Sequence, residues 1–278
     1  MGLRIATNVN ALNAHKNLYS MSNQQGTTMA RLASGYRINN ASDDAAGLAI
    51  SEGMKANIRG FRQANRNAND GISLVQIAEG GLNEVSNMLT RLRELAIQAS
   101  SDTIGDRERG YTDVEYQQLK EEIERVSQTT EFNGVPLING VGGIFDIQVG
   151  VKNDQFNDRI SFDSTATNST LEGLGLSELS VIDKLSAQSS LAFVDDALNN
   201  VSGMRANIGA FQSRLQSASS NLMISDENLS AANSRIRDTD VAAESTTLAK
   251  TNILMQAATA VLGQANTQQQ LALKLLPG

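Results

Sequence analysis

The chain has 278 residues, 40% of them apolar, which is enough to bury a core, but 4% aromatics and no tryptophan leave few large rings to fill a thick globular interior. Cysteine is absent, excluding disulfides and thiolate metal sites. No apolar run near the start resembles a secretory signal, and no stretch approaches a membrane span. The net charge of −7 is unevenly placed, because every acidic residue lies between Asp43 and Glu244. The two ends carry six basic residues and no acid, while the middle holds 17 basic residues against 30 acidic ones. Six charges over two long ends are too sparse for nucleic acid, and no membrane partner is expected either. Acid-free ends suit crowding of many copies, where burying carboxylates is costly, and the acidic middle then faces solvent.

In chain order, residues 4–32 form the first amphipathic helix. Ala11, Ala14, Leu18, Met21 and Leu32 lie on one seam that Gln25 and Thr28 interrupt. A second, long helix runs from about Asp43 to Ala99, with Ser42 as the expected N-cap. One of its seams reads Met54, Ile58, Phe61, Ala68, Ile72, Val75, Leu82 and Leu89. The other reads Leu74, Ala78, Val85, Met88, Leu92, Leu95 and Ala99, so at least two neighbours are needed, as in a bundle. Gly71, Gly80 and Gly81 each cost about 1 kcal/mol in a helix; close backbone approach or a local break would explain them.

Residues 107–130 are a third helix, with Val114, Leu119, Ile123 and Val126 apolar amid charge. Glycines and Pro136 then end helical structure. Alternation at Phe145, Ile147, Val149 and Val151, and again at Ile160 and Phe162, predicts a β-hairpin at about 144–163. Residues 164–170 are expected to be an exposed polar loop, whose Thr165, Thr167, Ser169 and Thr170 hydroxyls are candidate O-glycan acceptors. From Val194 to Ile236 a 3–4 spacing persists over six heptads, broken only by Ser225. That run would be about 64 Å long, against roughly 50 Å for the diameter of a compact globule of this size, so an elongated molecule is expected. Residues 247–276 complete the set with Leu248, Met255, Leu262 and Leu276 seven apart, interrupted by Gln269. Each terminal helix alone is marginal in water and needs a partner.

Candidates for chemistry are few. His15 is the one histidine and has no ligand cluster beside it. Glu121, Glu122 and Glu124 read as a solvated helix face. The glycines at 140–143 precede a strand, the reverse of a phosphate loop. The acidic turn at 153–158 lacks the glycine and terminal glutamate of a calcium loop. No nucleophile–base set can be assembled, so no enzyme and no cofactor is expected.

Several segments carry a resemblance: residues 5–14 (IATNVNALNA), 32–50 (LASGYRINNASDDAAGLAI), 67–76 (NANDGISLVQ), 91–98 (RLRELAIQ), 132–134 (FNG), 234–244 (SRIRDTDVAAE) and 261–266 (VLGQAN). Together they resemble bacterial flagellin over nearly the whole chain, in a minimal form without the long central insertion; the closing Pro277-Gly278 departs from the pattern.

The resemblance implies a mainly α fold: long bundled helices, paired terminal coiled-coil helices and a small β-hairpin region. Residues 1–42 and 240–278 would form an inner domain lining a filament channel, and residues 43–239 an outer bundle. The implied function is a structural subunit, a helical homopolymer serving swimming motility, extracellular in the filament, exported through the flagellar type III apparatus without a cleaved signal. Implied partners are other copies, an export chaperone at the C-terminal helix, filament cap and hook-junction proteins, and the flagellin-sensing Toll-like receptor of animal hosts. The assembly positions are Ile5, Val9, Leu12, Leu18, Met21, Leu32, Leu248, Met255, Leu262 and Leu276. The receptor patch maps onto Arg91 as a planar donor, Leu95 as an apolar plug and Glu115 as an acceptor. A hook–filament junction protein, which shares the terminal-helix design, is the alternative; a membrane-active helical protein is a more distant one.

Overall fold

The structure is a computed structural model that describes residues 7–274, with side chains described to residue 268. Within the described residues the helices are α1 (Val9–Ser34), α2 (Ala45–Ala99), α3 (Asp106–Thr129), α4 (Lys184–Arg237) and α5 (Val241–Lys274). The strands are β1 (Glu131–Phe132), β2 (Val135–Pro136), β3 (Ile144–Gln148) and β4 (Arg159–Asp163). The chain divides into two compact units, one from Asn57 to Glu227 and one taking in the chain up to Ala56 and from Asn228. The division falls inside α2 and α4, whereas the sequence reading placed it at the helix breaks near 42 and 240.

The middle unit is organised by the two seams of α2. Ala68, Val75, Leu82 and Leu89 of the first, and Leu74, Ala78, Val85, Leu92, Leu95 and Ala99 of the second, are all buried in one apolar cluster. Across from them α4 contributes Val194, Ala197, Val201, Ile208, Phe211 and Leu215, the heptad positions read from spacing alone. α3 fills its side of the cluster with Tyr116 and Ile123, while Val114, expected to pack, is exposed. The Tyr116 hydroxyl is taken out of water with its ring, and burial pushes its pKa up to about 12. Lys120 is also buried, and its Nζ donates to the Ser177 and Leu179 carbonyls at 2.9 and 2.8 Å. Desolvation of that ammonium lowers its pKa. The segment after β4 is thereby tied to α3 by a charge-assisted bond, alongside the apolar packing of its Leu174, Leu176 and Val181 in the same core.

β3 and β4 pair antiparallel with Ile147 opposite Ile160 and Phe145 opposite Phe162, the hairpin expected at 144–163. Its inner face rests on the helices through Phe162, whose ring lies 5.3 Å from that of Phe211. The shorter β1–β2 hairpin was not foreseen. Its signal is the Asn133-Gly134 pair flanked by Phe132 and Val135, with positive φ at both turn residues (51° and 79°), as a two-residue type I′ turn demands.

The glycines of α2 do not break it. At Gly71 a Cβ would lie 2.4 Å from Ile147 Cδ1, and at Gly81 it would meet Thr130 Oγ1 at 2.7 Å and Ile138 Cδ1 at 2.9 Å. Close approach is thus the reason for these two. Gly80, by contrast, faces open space. Gly80→Ala is therefore expected to raise stability by about 1 kcal/mol through helix propensity, whereas Gly81→Ala, which crowds Thr130 and Ile138, is expected to gain less or to lose. Paired denaturant titrations check this, and equal gains at both positions would contradict it.

Two local expectations are corrected. The side chain that caps α2 is Asp44, whose Oδ1 accepts from Gly47 N at 2.8 Å, not Ser42; the chain enters the helix two residues later than read. Residues 164–170 are not an exposed loop. A 3-10 turn at Ser164–Ala166 leads into Thr167 and Ser169, which are 4% and 0% exposed. Their hydroxyls donate to the Leu137 carbonyl (2.8 Å) and the Ile138 carbonyl (2.9 Å), so these polar side chains are buried satisfied. Polarity alone signalled exposure because the carbonyl partners lie about thirty residues back in the chain.

Candidate functional site

In the other unit α1 and α5 pair with each other. Of the positions read from spacing, Ala14 is buried and Leu18, Met21, Leu32, Leu248, Met255 and Leu262 are half-buried; Thr28, read as an interruption, and Thr251 and Ala265, not named from the sequence, are buried as well. The buried residues are small, and the leucines and methionines around them stay partly in water. Gln25, which interrupts the seam, is used rather than tolerated. Gln25 Nε2 donates to Asn252 Oδ1 at 2.6 Å across the pair, and Arg31 faces Glu244 at 3.8 Å. Asn8 Oδ1 accepts from Ala11 N to cap α1, while its Nδ2 donates to the Ala265 carbonyl at 3.1 Å. Partners thus run 8 with 265, 25 with 252 and 31 with 244, which makes the pair antiparallel and fixes its register.

The outward faces of the same helices carry large apolar side chains among polar ones, and these are uncovered. Val9, Leu12, Tyr19 and Met29 of α1 and Val241, Ile253, Leu254 and Val261 of α5 are exposed, with Leu12 62% and Ile253 66% accessible. Among the assembly positions named from sequence, Val9 and Leu12 therefore look outward, and the six half-buried ones hold the pair. Ile5 and Leu276 lie outside the described residues. His15 is exposed on α1.

Where the chain leaves this pair, its two crossing segments are tied together. Arg37 N donates to the Arg237 carbonyl (2.7 Å) and Thr239 N to the Gly35 carbonyl (2.9 Å), with Tyr36 and Asp238 opposite each other as a one-residue bridge. The Arg237 guanidinium sits 4.8 Å over the Tyr36 ring and pairs with Glu52. Gly35, at φ 74°, ends α1 with its N–H on the Arg31 carbonyl, and Asp240 caps α5 through Ala242 and Ala243. The sequence reading missed this clasp. The Gly35 and Asp240 caps were legible, but the pairing of residues 36 and 238 carries no local signal.

The three receptor positions are not alike. Arg91 is exposed and its guanidinium already binds two carboxylates, Glu94 Oε2 at 2.9 Å and Glu115 Oε1 at 2.8 Å, which raise its pKa. Leu95 is 2% exposed and belongs to the second seam of α2, so it does not offer a plug; the core claims it. Of the candidate glycan acceptors, Thr165 is exposed with its Oγ1 on Asp163 Oδ1 (2.5 Å), and Thr170 is half-buried with its Oγ1 on Asn168 Oδ1 (2.7 Å).

No group of three histidine, cysteine or carboxylate side chains among the described residues could hold a metal ion. At 153–158 the carboxylates serve the turn itself: Asp154 Oδ1 accepts from Phe156 N and Asn157 N, and Asp158 Oδ2 from Asp154 N. Glu124 of the acidic run accepts from Leu171 N (2.9 Å), and Glu122 pairs with Arg125. Among the described residues no helix is long and apolar enough to cross a membrane.

Two family models match the chain. The bacterial flagellin N-terminal helical region matches residues 5–142, and the bacterial flagellin C-terminal helical region matches residues 191–276. The chain is 45% identical to a flagellin of Halalkalibacterium halodurans over 97% of its length and 98% of the relative's. It is 38% identical to the flagellin of Bacillus subtilis over 99% of its length and all of the relative's. The crystal structure of Bacillus cereus flagellin superposes on 56% of this chain and 88% of its own, with a TM-score of 0.51 and 27% identity.

Proposed function

The chain belongs to the bacterial flagellin family, a family of structural proteins rather than enzymes, and we propose that the outward faces of α1 and α5 are the surfaces through which copies of it polymerise into the flagellar filament that serves motility. One observation carries this reading: the paired helices leave eight large apolar side chains in water. A monomer gains nothing from that exposure, and a polymer buries it, at about 25 cal/mol per Å². Residues 1–42 and 240–278 then form the inner layer lining the filament channel, and the acidic residues 43–239 the outer one.

Deleting residues 245–278 tests the reading, because it removes the partner of α1 and leaves the unit at 57–227 intact. The truncated chain is expected to keep the cooperative melt of the middle unit and to form no filaments in salt. Filaments of normal length seen by electron microscopy would overturn it.

The remaining roles rest on membership of the family. Export runs through the flagellar type III apparatus with an uncleaved N-terminal signal, an export chaperone holds the C-terminal helix beforehand, and cap and hook-junction proteins meet the subunit at the two filament ends. The subunit is extracellular once assembled. A hook–filament junction role would instead leave the protein in trace amounts at the filament base, and its abundance in sheared filaments distinguishes the two.

For the flagellin-sensing Toll-like receptor, the reading narrows to Arg91 and Glu115, which are exposed, with Leu95 acting only by holding α2 in place. A receptor carboxylate must displace Glu94 or Glu115 from the guanidinium, so the patch is a charge exchange rather than a hydrophobic socket. Monomer is expected to activate receptor-bearing reporter cells and sealed filament is not; equal activity of the two would reject it. For glycans, Thr165 is the acceptor that the exposure favours.

A further inference from the structure

The chain contains two asparagine–glycine dipeptides, Asn133-Gly134 and Asn139-Gly140, and the fold treats them in opposite ways. Both residues of the first are exposed, at the tip of the β1–β2 hairpin. Gly134 N–H meets no acceptor among the described residues, the Asn133 side chain makes no hydrogen bond there, and nothing lies within 4 Å of where a Gly134 Cβ would stand. In the second pair Asn139 Oδ1 accepts from Val141 N at 3.0 Å, which holds the side-chain amide in place. Asn139 also bridges Asn168, and a Cβ on Gly140 would lie 2.8 Å from Asn168 Cγ.

We propose that Asn133 is a site of spontaneous deamidation and isoaspartate formation, and that Asn139 is protected from it by the fold. The Gly134 backbone nitrogen attacks Asn133 Cγ. Its proton leaves with the side-chain amino group as ammonia, and a five-membered succinimide closes. One water then opens the ring at either carbonyl, giving aspartate or isoaspartate with no change of oxidation state. The attack needs a free amide nitrogen, a side chain at liberty to rotate and no bulk beside the glycine, and Asn133-Gly134 supplies all three. At Asn139 the amide oxygen must first give up its bond to Val141 N, and the ring must form against Asn168.

The product changes the hairpin in two ways. It adds a negative charge beside Glu131, and the isoaspartyl form inserts a methylene into the backbone of a two-residue turn. The register Glu131 opposite Pro136 and Phe132 opposite Val135 has no slack for that insertion. The following bond, Leu137 N to the Thr130 carbonyl at 3.0 Å, and the fully buried Leu137 and Ile138 anchor the far side, so strain falls on the turn.

The test is a time course on the folded full-length protein at mildly alkaline pH, read by peptide mapping and by isoaspartyl methyltransferase labelling with labelled methyl donor. Asn133 is expected to convert several-fold faster than Asn139 in the folded chain. In urea the two are expected to convert at similar rates, because the difference belongs to the fold. Conversion of Asn139 as fast as Asn133 in the folded protein would overturn the proposal. So would a folded Asn133 that stays intact while the unfolded chain reacts. Asn133→Ser, which keeps a residue compatible with a turn, should remove the hairpin-tip label and leave that of Asn139.

Discussion

Aspartate in place of Leu12 or Ile253 is expected to abolish polymerisation while leaving the monomer's helix content unchanged. Both side chains stand in water on the faces of α1 and α5 that are turned from the pair seam, so neither contributes to the fold of the subunit. In a polymer each would be buried, a gain of about 1.5–3 kcal/mol per leucine or isoleucine. An aspartate there forfeits that gain and adds the cost of an unpaired buried carboxylate, another few kcal/mol. Together these raise the critical concentration by more than about a thousandfold, since every 1.4 kcal/mol is a factor of ten. The acid-free composition of both ends is explained by the same arithmetic: any carboxylate there is repeated at every subunit. Sedimentation of the salt-induced polymer, with circular dichroism of the monomer as control, measures both halves of the expectation. Pelleting at the parent's concentration would show that these faces are not the interface.

Leu89→Ala is the second large effect, and it falls on the middle unit. Leu89 is wholly buried in the cluster formed by α2, α3 and α4. Removing its three outer carbons leaves a cavity in a close-packed bundle, at about 3 kcal/mol. For a unit of this size that corresponds to a fall of roughly 6–12 °C in Tm. Ile97→Ala, on the same helix but 48% exposed, is expected to move stability by less than about 0.5 kcal/mol. Thermal melts followed at 222 nm compare the two directly. A Leu89 variant that melts with its parent would mean that the seam is not packed as described.

Helix positions were legible where one physical rule dominated. The seam from Val194 was readable because a 3–4 spacing over six heptads has no other economical explanation, and the residues it nominates from Val194 to Leu215 are those the structure buries, Met204 alone being half-buried. The broken seam of α1 was legible too, and the structure adds what Gln25 does there. Legibility failed where burial depends on partners distant in the chain. Thr167 and Ser169 are polar and buried because carbonyls of Leu137 and Ile138 reach them, and no local pattern encodes that. Leu95 illustrates the converse. Its place in a seam was visible in the spacing, and the core position that follows is incompatible with an exposed plug. The clasp at Tyr36 and Asp238 was invisible for the same reason as the buried hydroxyls, because it joins segments some two hundred residues apart.

The antiparallel register of α1 and α5 also has a consequence in time. Asn8 bonds to Ala265, a separation of 257 residues in a chain of 278. During synthesis α1 is among the first segments made, and its partner is among the last. Among the described residues the contacts of highest sequence separation are therefore those of the terminal pair, and contacts of that kind close slowest because the whole intervening chain must be looped. α2, α3 and α4 can condense on one another while α1 still waits. Until α5 has been made, α1 can only be a single marginal helix in water, unable to present a finished surface to another copy. The order of synthesis thus postpones self-recognition until α5 is in place beside α1.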